Sequence, residues 1–257
     1  MSGFTAGWLA LREPADRAAR NPGLIARLAA HLGARPARIL DLGAGTGANV
    51  RALAPHLHPD ATWALVDHDP ALLRAAEAAL GHGPNLRYVQ ADLVRDLEAL
   101  LAPPPDLVTG SAFLDLCSAP WLDRLAAALP AGTALYMALS YDGTEAWAPA
   151  HAAEPAALAA FRAHQRRDKG FGPALGPDAA AHLARALARR GWLVETAPSP
   201  WRLGPAHRSL IAALADGAAE AVAETGALDA ATLAAWHQAR RQAARVEIGH
   251  TDLLALP

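Results

Sequence analysis

Hydrophobic and polar positions change their period near residue 38. Upstream, residues 5 to 32 place apolar side chains at helical spacing, with Pro14 and Pro22 marking the starts of short helices. Then "ARILDLGAG" forms a short apolar block ending in glycines, the pattern of a strand buried on both faces. "ANVRALAPHL" returns to helical spacing, "TWALVDHD" reads as a second strand, and "PALLRAAEAAL" as a helix with Pro70 in its first turn. "LRYVQADL" and "PDLVTGSAFLDLC" supply third and fourth strands around the helix-like "VRDLEALL". "WLDRLAAAL" and "GTALYMALSY" add a helix and a fifth strand. Strand and helix thus alternate from 38 to 141, which predicts an α/β fold with a parallel sheet and helices on both faces.

After Tyr141 the rhythm breaks. Residues 143–177 read as an insertion with a helix around 154–167, followed by a helix in "PDAAAHLARALARRG" and a sixth strand in "WLVETAPSPW". Two helices, roughly 206–224 and 229–244, precede a last strand, "VEIGHTDLLALP". No linker or internal repeat divides the chain, so the expectation is one domain over 1–257. It would comprise an N-terminal helical cap (1–35), a core (36–142) and substrate-side insertions at 143–177 and 203–244.

Composition narrows the partners. Apolar residues make up 53%, enough for one sizeable core, although much of that is alanine. The net charge of −2 is spread over interleaved acids and bases, so no basic stripe points to nucleic acid. Cys117 stands alone, which rules out an intrachain disulfide and a cysteine-rich metal site, and no metal is expected. The N-terminus lacks a basic start followed by an apolar run, and "LAAALPAGTALYMAL" is the nearest approach to a membrane span. A soluble cytoplasmic protein without a membrane partner is expected, its oligomeric state left open.

Candidate chemistry begins at "DLGAGTGANV", where Gly43, Gly45 and Gly47 separate the first strand from the following helix. Glycine lets the backbone turn tightly against a ligand, and the helix N-terminus offers free amide donors. Read through Ala48, the loop also satisfies the G-x-G-x-x-A dinucleotide fingerprint, so two cofactor classes remain open. Asp67 ends the second strand, where a carboxylate can accept both ribose hydroxyls. Asp92 ends the third, within reach of an adenine amino group. Three consecutive strand ends therefore offer polar groups along the edge where open α/β sheets bind ligands.

In order and spacing, "ILDLGAGTG", "LVDHDP" and "VQADL" resemble the class I S-adenosylmethionine-dependent methyltransferases, a resemblance covering roughly residues 36–142. It implies a Rossmann-like, doubly wound, seven-stranded sheet whose last strand is antiparallel, with helical insertions covering the substrate face. It implies S-adenosyl-L-methionine as cofactor, with Asp41 near the methionine amino group and Gly43 and Gly45 against methionine and ribose. Asp67 would then hold the ribose, and Asp92 and Leu93 the adenine. Ala44, Gly47, His68 and Ser111 complete the expected cofactor contacts.

The acceptor would lie beyond the fourth and fifth strands, where Ser111, Asp115 and Tyr141 are the polar groups. Asp115 reads equally as a base, an amine ligand or a helix cap near Ser118, and Cys117 as an inert core thiol. No "NPPY"-type tetrapeptide and no Pro-Cys nucleophile is present, which removes several nucleic-acid readings. "FRAHQRRDKGFGPALGP" holds the only lysine, Lys169, among 22 arginines. It reads as a lid that brings Lys169 to an anionic group, aided by Arg166 or Arg167, with His164 as general base and Gly170 and Gly172 as hinges. The expected activity is O- or N-methylation of a small molecule. The alternatives are an NAD(P)-dependent oxidoreductase using the same glycine loop, and a catalytically inactive cofactor-binding protein.

Overall fold

The computed structural model describes residues 4–257. Two helices, α1 (Ala6–Ala19) and α2 (Pro22–Leu32), lead into β1 (Arg38–Leu42), α3 (Ala48–Leu53), β2 (Thr62–Asp67), α4 (Pro70–Leu80) and β3 (Leu86–Gln90). The chain continues through α5 (Leu97–Leu100), β4 (Leu107–Ser111), α6 (Ala119–Ala128), β5 (Ala134–Ala148), α7 (Glu154–Gln165) and α8 (Ala179–Arg189). It closes with β6 (Leu193–Pro198), β7 (Trp201–Leu203), α9 (Arg208–Ala223), α10 (Ala230–Arg241) and β8 (Arg245–Leu256).

The strands join one sheet in the order β3-β2-β1-β4-β5-β8-β6. β1 pairs in parallel with both β2 and β4, and β4 with β5, so their carboxyl ends share one edge. β8 runs antiparallel between β5 and β6. The doubly wound α/β sheet with its reversed last strand is therefore present, with two departures from expectation. An eighth strand, the short β7, pairs with the first half of β8. β5 also continues to Ala148, matching Glu145–Ala148 to Arg245–Ile248, so residues 143–148 are strand rather than insertion.

The strand alternation sorts side chains between two apolar layers. Leu40, Leu42 and Val108 pack with α6 and α8 on one face, while Ile39, Leu65 and Tyr136 pack with α2 and α3 on the other. Leu42 is fully buried, and truncating such a leucine to alanine costs about 2–5 kcal/mol. Asn21 caps α2, with Leu24 N donating to its Oδ1 at 3.1 Å, and Pro22 takes the first helical position as expected. Pro14 does not start a helix. It lies inside α1, at an interior cost of about 3 kcal/mol. The side chains around it offset that cost. Arg12 forks onto Asp16 at 2.9 and 3.1 Å, and Trp201 Nε1 donates to Asp16 at 3.0 Å.

A second ion pair lays α1 across the glycine loop. Arg51 Nε and Nη2 donate to the Glu13 carboxylate at 2.6 and 2.7 Å, and Nη1 donates to Thr46 O at 2.8 Å. The α7, α9 and α10 helices form their own satellite core around Trp236. Among the described residues, no helix is long and apolar enough to cross a membrane.

Candidate cofactor and acceptor cleft

At the end of β1 the chain turns through Gly43, Gly45 and Gly47, all at positive φ. Two of these positions demand glycine for different reasons. A Cβ on Gly45 would stand 3.0 Å from Leu9 Cδ1, where α1 roofs the loop. A Cβ on Gly47 would stand 2.6 Å from Leu80 Cδ1, on the inner side against α4. Gly47 thus lets the loop dock on its own core and does not line the cleft, contrary to its expected cofactor contact.

The cleft brings together nine of the expected cofactor residues: Asp41, Gly43, Ala44, Gly45, Asp67, His68, Asp92, Leu93 and Ser111. Asp67 is also an organiser of the loop. Its Oδ2 accepts from Gly45 N at 2.9 Å and its Oδ1 from Asp69 N at 3.0 Å, with lone pairs remaining for a ligand. Asp69 caps α4 by accepting from Ala71 N at 2.7 Å. Asp92 lies just past β3 and accepts from Val94 N at 2.8 Å, which fixes the turn that presents it to solvent.

One end of the cleft is unusually polar for its depth. Asn49 Nδ2 donates to Asp41 Oδ1 and to Thr109 Oγ1, both at 2.9 Å, while Asp41 Oδ2 has no partner. Burial lifts the Asp41 carboxyl to about 7, against the opposing pull of Asn49 and Arg20. Arg20 closes α1 with its side chain 6% exposed as a residue, Nη2 donating to Ser111 Oγ at 3.1 Å. Its Nε and Nη1 are buried without a well-aligned acceptor, and the guanidinium lies beside the Tyr136 hydroxyl, outside the cleft lining. The unmatched Asp41 acceptor lines the cleft, is expensive to leave buried and complements a ligand ammonium, whereas Arg20 stands behind Ser111, outside the lining. Nothing in the pattern of an arginine-rich chain singled out Arg20.

The residues expected to carry catalysis separate. Lys169 lines the cleft with Gly170 and Phe171. Asp115 lies half-buried in the turn between the cleft-lining Phe113 and Leu116 and is not itself part of the lining. Burial raises its carboxyl to about 6, while Arg12 and Lys169 pull it down. The capping role falls to Ser118, which accepts from Trp121 N at 3.4 Å, so Asp115 is not spent on the helix. Tyr141 does not reach the cleft. It is buried against Phe161 and donates to Glu145 Oε1 at 2.9 Å, bracing the β5–β8 extension. His164 does not reach it either, because Glu224 engages its Nε2 at 3.1 Å on the outer side of α7. Arg166 and Arg167 are likewise held by Asp178 and Glu224. Cys117 is fully buried with its thiol pushed well above its ordinary range.

Residues 39–131, which contain this edge, match the family model described as a methyltransferase domain. These residues form a methyltransferase domain. Its cofactor is S-adenosylmethionine, and the nicotinamide reading of the glycine loop falls with the match. Over 92% of its length the methyltransferase resembles 98% of the YcgJ protein from Bacillus subtilis, at 12% identity and a TM-score of 0.51, a likeness of fold. It also aligns over 99% of both chains with a methyltransferase from Thiobacillus denitrificans solved with S-adenosyl-L-homocysteine, at 16% identity and a TM-score of 0.49. No curated protein sequence matches it detectably.

The residues present fit that cofactor. Asp41 Oδ2 would hold the amino group, Asp67 the ribose, and Asp92 with Leu93 the adenine. Phe113 is the other residue missed by sequence reasoning. Ala112 sits in the left-handed region at φ 50°, immediately after β4, and this turn carries Phe113 under Gly43, whose hypothetical Cβ would meet Phe113 Cδ2 at 3.0 Å.

Proposed function

We propose that this methyltransferase acts on an oxygen or nitrogen atom of a small molecule rather than on nucleic acid or protein. The observation that supports the reading is the roof. Leu9, Arg12 and Asp16 of α1 face the cleft from one side, and Leu116, Lys169 and Phe171 from the other. A mouth narrowed by two such elements suits a compact acceptor. Arg12 and Asp16 neutralise each other there, so no basic track leads in for a phosphate backbone.

S-adenosylmethionine supplies a sulfonium-bound methyl group that a nucleophile displaces in line. The chain's own contribution is then to exclude water, orient the nucleophile and accept its proton. Asp115, in the turn directly behind the cleft-lining Phe113 and Leu116, is the candidate proton acceptor in this reading, its carboxyl lifted toward neutrality by burial. The test is incubation with methyl-labelled S-adenosylmethionine and, separately, a small-molecule extract, total RNA and total protein. Label appearing in the small-molecule fraction supports the reading. Transfer only to RNA or protein overturns it.

A further inference from the structure

The single lysine sits in a turn built to hold it still. Asp168 Oδ1 accepts from Gly170 N at 2.7 Å and from Gly172 N at 3.0 Å, and Asp168 pairs with Pro173 across the turn. Gly170 and Gly172 take φ of 104° and 85°, conformations that close this loop and that other residues resist. Phe171 anchors it from within. Its ring meets Phe113 at 5.5 Å and Trp121 at 5.1 Å, edge to face in both cases. On the entering side Arg166 bonds Asp178 at 2.7 Å, and on the leaving side Leu175 N donates to Cys117 O at 2.8 Å. The expected hinged lid is therefore a clamped turn, and what it presents to the cleft is Lys169.

Charge accounting in the cleft then isolates that ammonium. Arg12 is spent on Asp16, and Arg20 stands behind Ser111, outside the cleft lining. Among the described residues, Lys169 has no carboxylate within ion-pair distance, and neither has Asp115 an ammonium or guanidinium, though each feels the other's charge. Around Lys169 the walls are largely apolar, formed by Leu9, Phe113, Leu116 and Phe171, with the mutually paired Arg12 and Asp16 across the mouth. A lone, compact ammonium at an apolar wall matches one negative charge on an apolar body. A dianionic phosphate would call for further donors, and Asp115 nearby opposes it.

Resting on the methyl-transfer reading above, we infer that the acceptor is a small apolar carboxylic acid, whose carboxylate binds Lys169 while its apolar body lies against Phe113, Leu116 and Phe171. Lys169 is then a specificity-determining residue, and it explains the one departure from arginine in the chain.

Because the chain has a single lysine, protein labelled with 13C-lysine shows one lysine side-chain signal, which reports directly on this site. With S-adenosyl-L-homocysteine bound, benzoate, phenylacetate and octanoate are each titrated against the matching amide. At least one acid is expected to shift the Lys169 Cε signal saturably and to bind about tenfold more tightly than its amide. Calorimetry on Lys169→Met should show that preference lost with S-adenosyl-L-homocysteine affinity retained. If no acid outperforms its amide, or the preference survives in Lys169→Met, the inference is wrong while the methyltransferase reading stands. Failure of S-adenosyl-L-homocysteine itself to bind would remove both.

Discussion

Replacing Arg20 with methionine separates a residue that supports ligand binding from a structural one. The guanidinium is buried behind the cleft wall, bonded to Ser111 and close to Asp41 and Tyr136, a buried charge that costs the empty protein free energy. Methionine has similar reach and no charge, so the ligand-free variant should be at least as thermally stable as the parent. Binding should behave differently. Hydrogen bonds to charged groups contribute about 1.5–3 kcal/mol, and each 1.4 kcal/mol is about tenfold in affinity. Losing the Arg20 bond to Ser111 and its charge beside Asp41 should therefore weaken S-adenosyl-L-homocysteine by roughly tenfold to a hundredfold. The assay is calorimetric titration of both proteins with S-adenosyl-L-homocysteine and with 5′-methylthioadenosine, which keeps adenine, ribose and sulfur but lacks the amino acid group. Only the first should weaken. If both weaken equally, Arg20 shapes the whole cleft rather than its amino acid end; if neither does, its charge does not bear on the ligand. Either outcome refutes the argument.

Two further predictions follow from the same end of the cleft. Burial raises the Asp41 carboxyl to about 7, so the folded, empty protein holds a proton there that an unfolded chain releases near pH 4. A ligand ammonium requires the carboxylate, so S-adenosyl-L-homocysteine affinity should rise by up to about tenfold per pH unit below 7 and flatten above it. Calorimetry at pH 6, in buffers of different ionisation heat, should register the released proton; a pH slope unchanged in Asp41→Asn would sink the assignment. Glu13→Gln removes the charge that fastens α1 across the glycine loop through Arg51, a bridge of about 1 kcal/mol. Stopped-flow release of S-adenosyl-L-homocysteine should speed severalfold, and an unchanged rate would mean that the α1 roof does not retain the ligand.

The cofactor edge was legible because its signals are local. A glycine loop after an apolar strand, and acids at the next two strand ends, are fixed by sequence spacing once the strands are parallel. The short β7 escaped because three residues carry no period of their own; Trp201 becomes strand only through its pairing with Ile248. The length of β5 escaped for a related reason. "DGTEAW" is polar and contains Gly143, yet it continues as strand because β8 supplies a partner and Glu145 finds Tyr141, Trp147 and Arg240. Arg20, Phe113 and the true partners of His164 depend on side chains distant in sequence, so no spacing rule could assign them. Pro14 reads as a helix start on propensity alone, and tertiary contacts made by its neighbours override that preference.

The tryptophans and the buried charges show how the additions to the core divide. Arg240 lies between the rings of Trp147 and Trp236, at 4.2 and 4.4 Å from their centroids, and bonds both Glu145 and Glu154. Trp236 Nε1 donates to Glu154 at 2.8 Å, so every charge in this hub has a directional partner. Such a network specifies one docking of α7 and α10 on the β5–β8 ribbon, while its desolvation cost limits its net stabilisation. None of the cleft-lining residues comes from 203–244, so that connection is not the substrate-side cover it was expected to be. Its effect on the cleft is indirect. α9 packs on both α1 and α7, the helix that leads into the Lys169 turn, so the hub fixes the two elements that do reach the mouth. Selectivity for the acceptor should then reside in the few side chains of α1 and of residues 168–173, and substitutions in the hub should reach it only by loosening both at once.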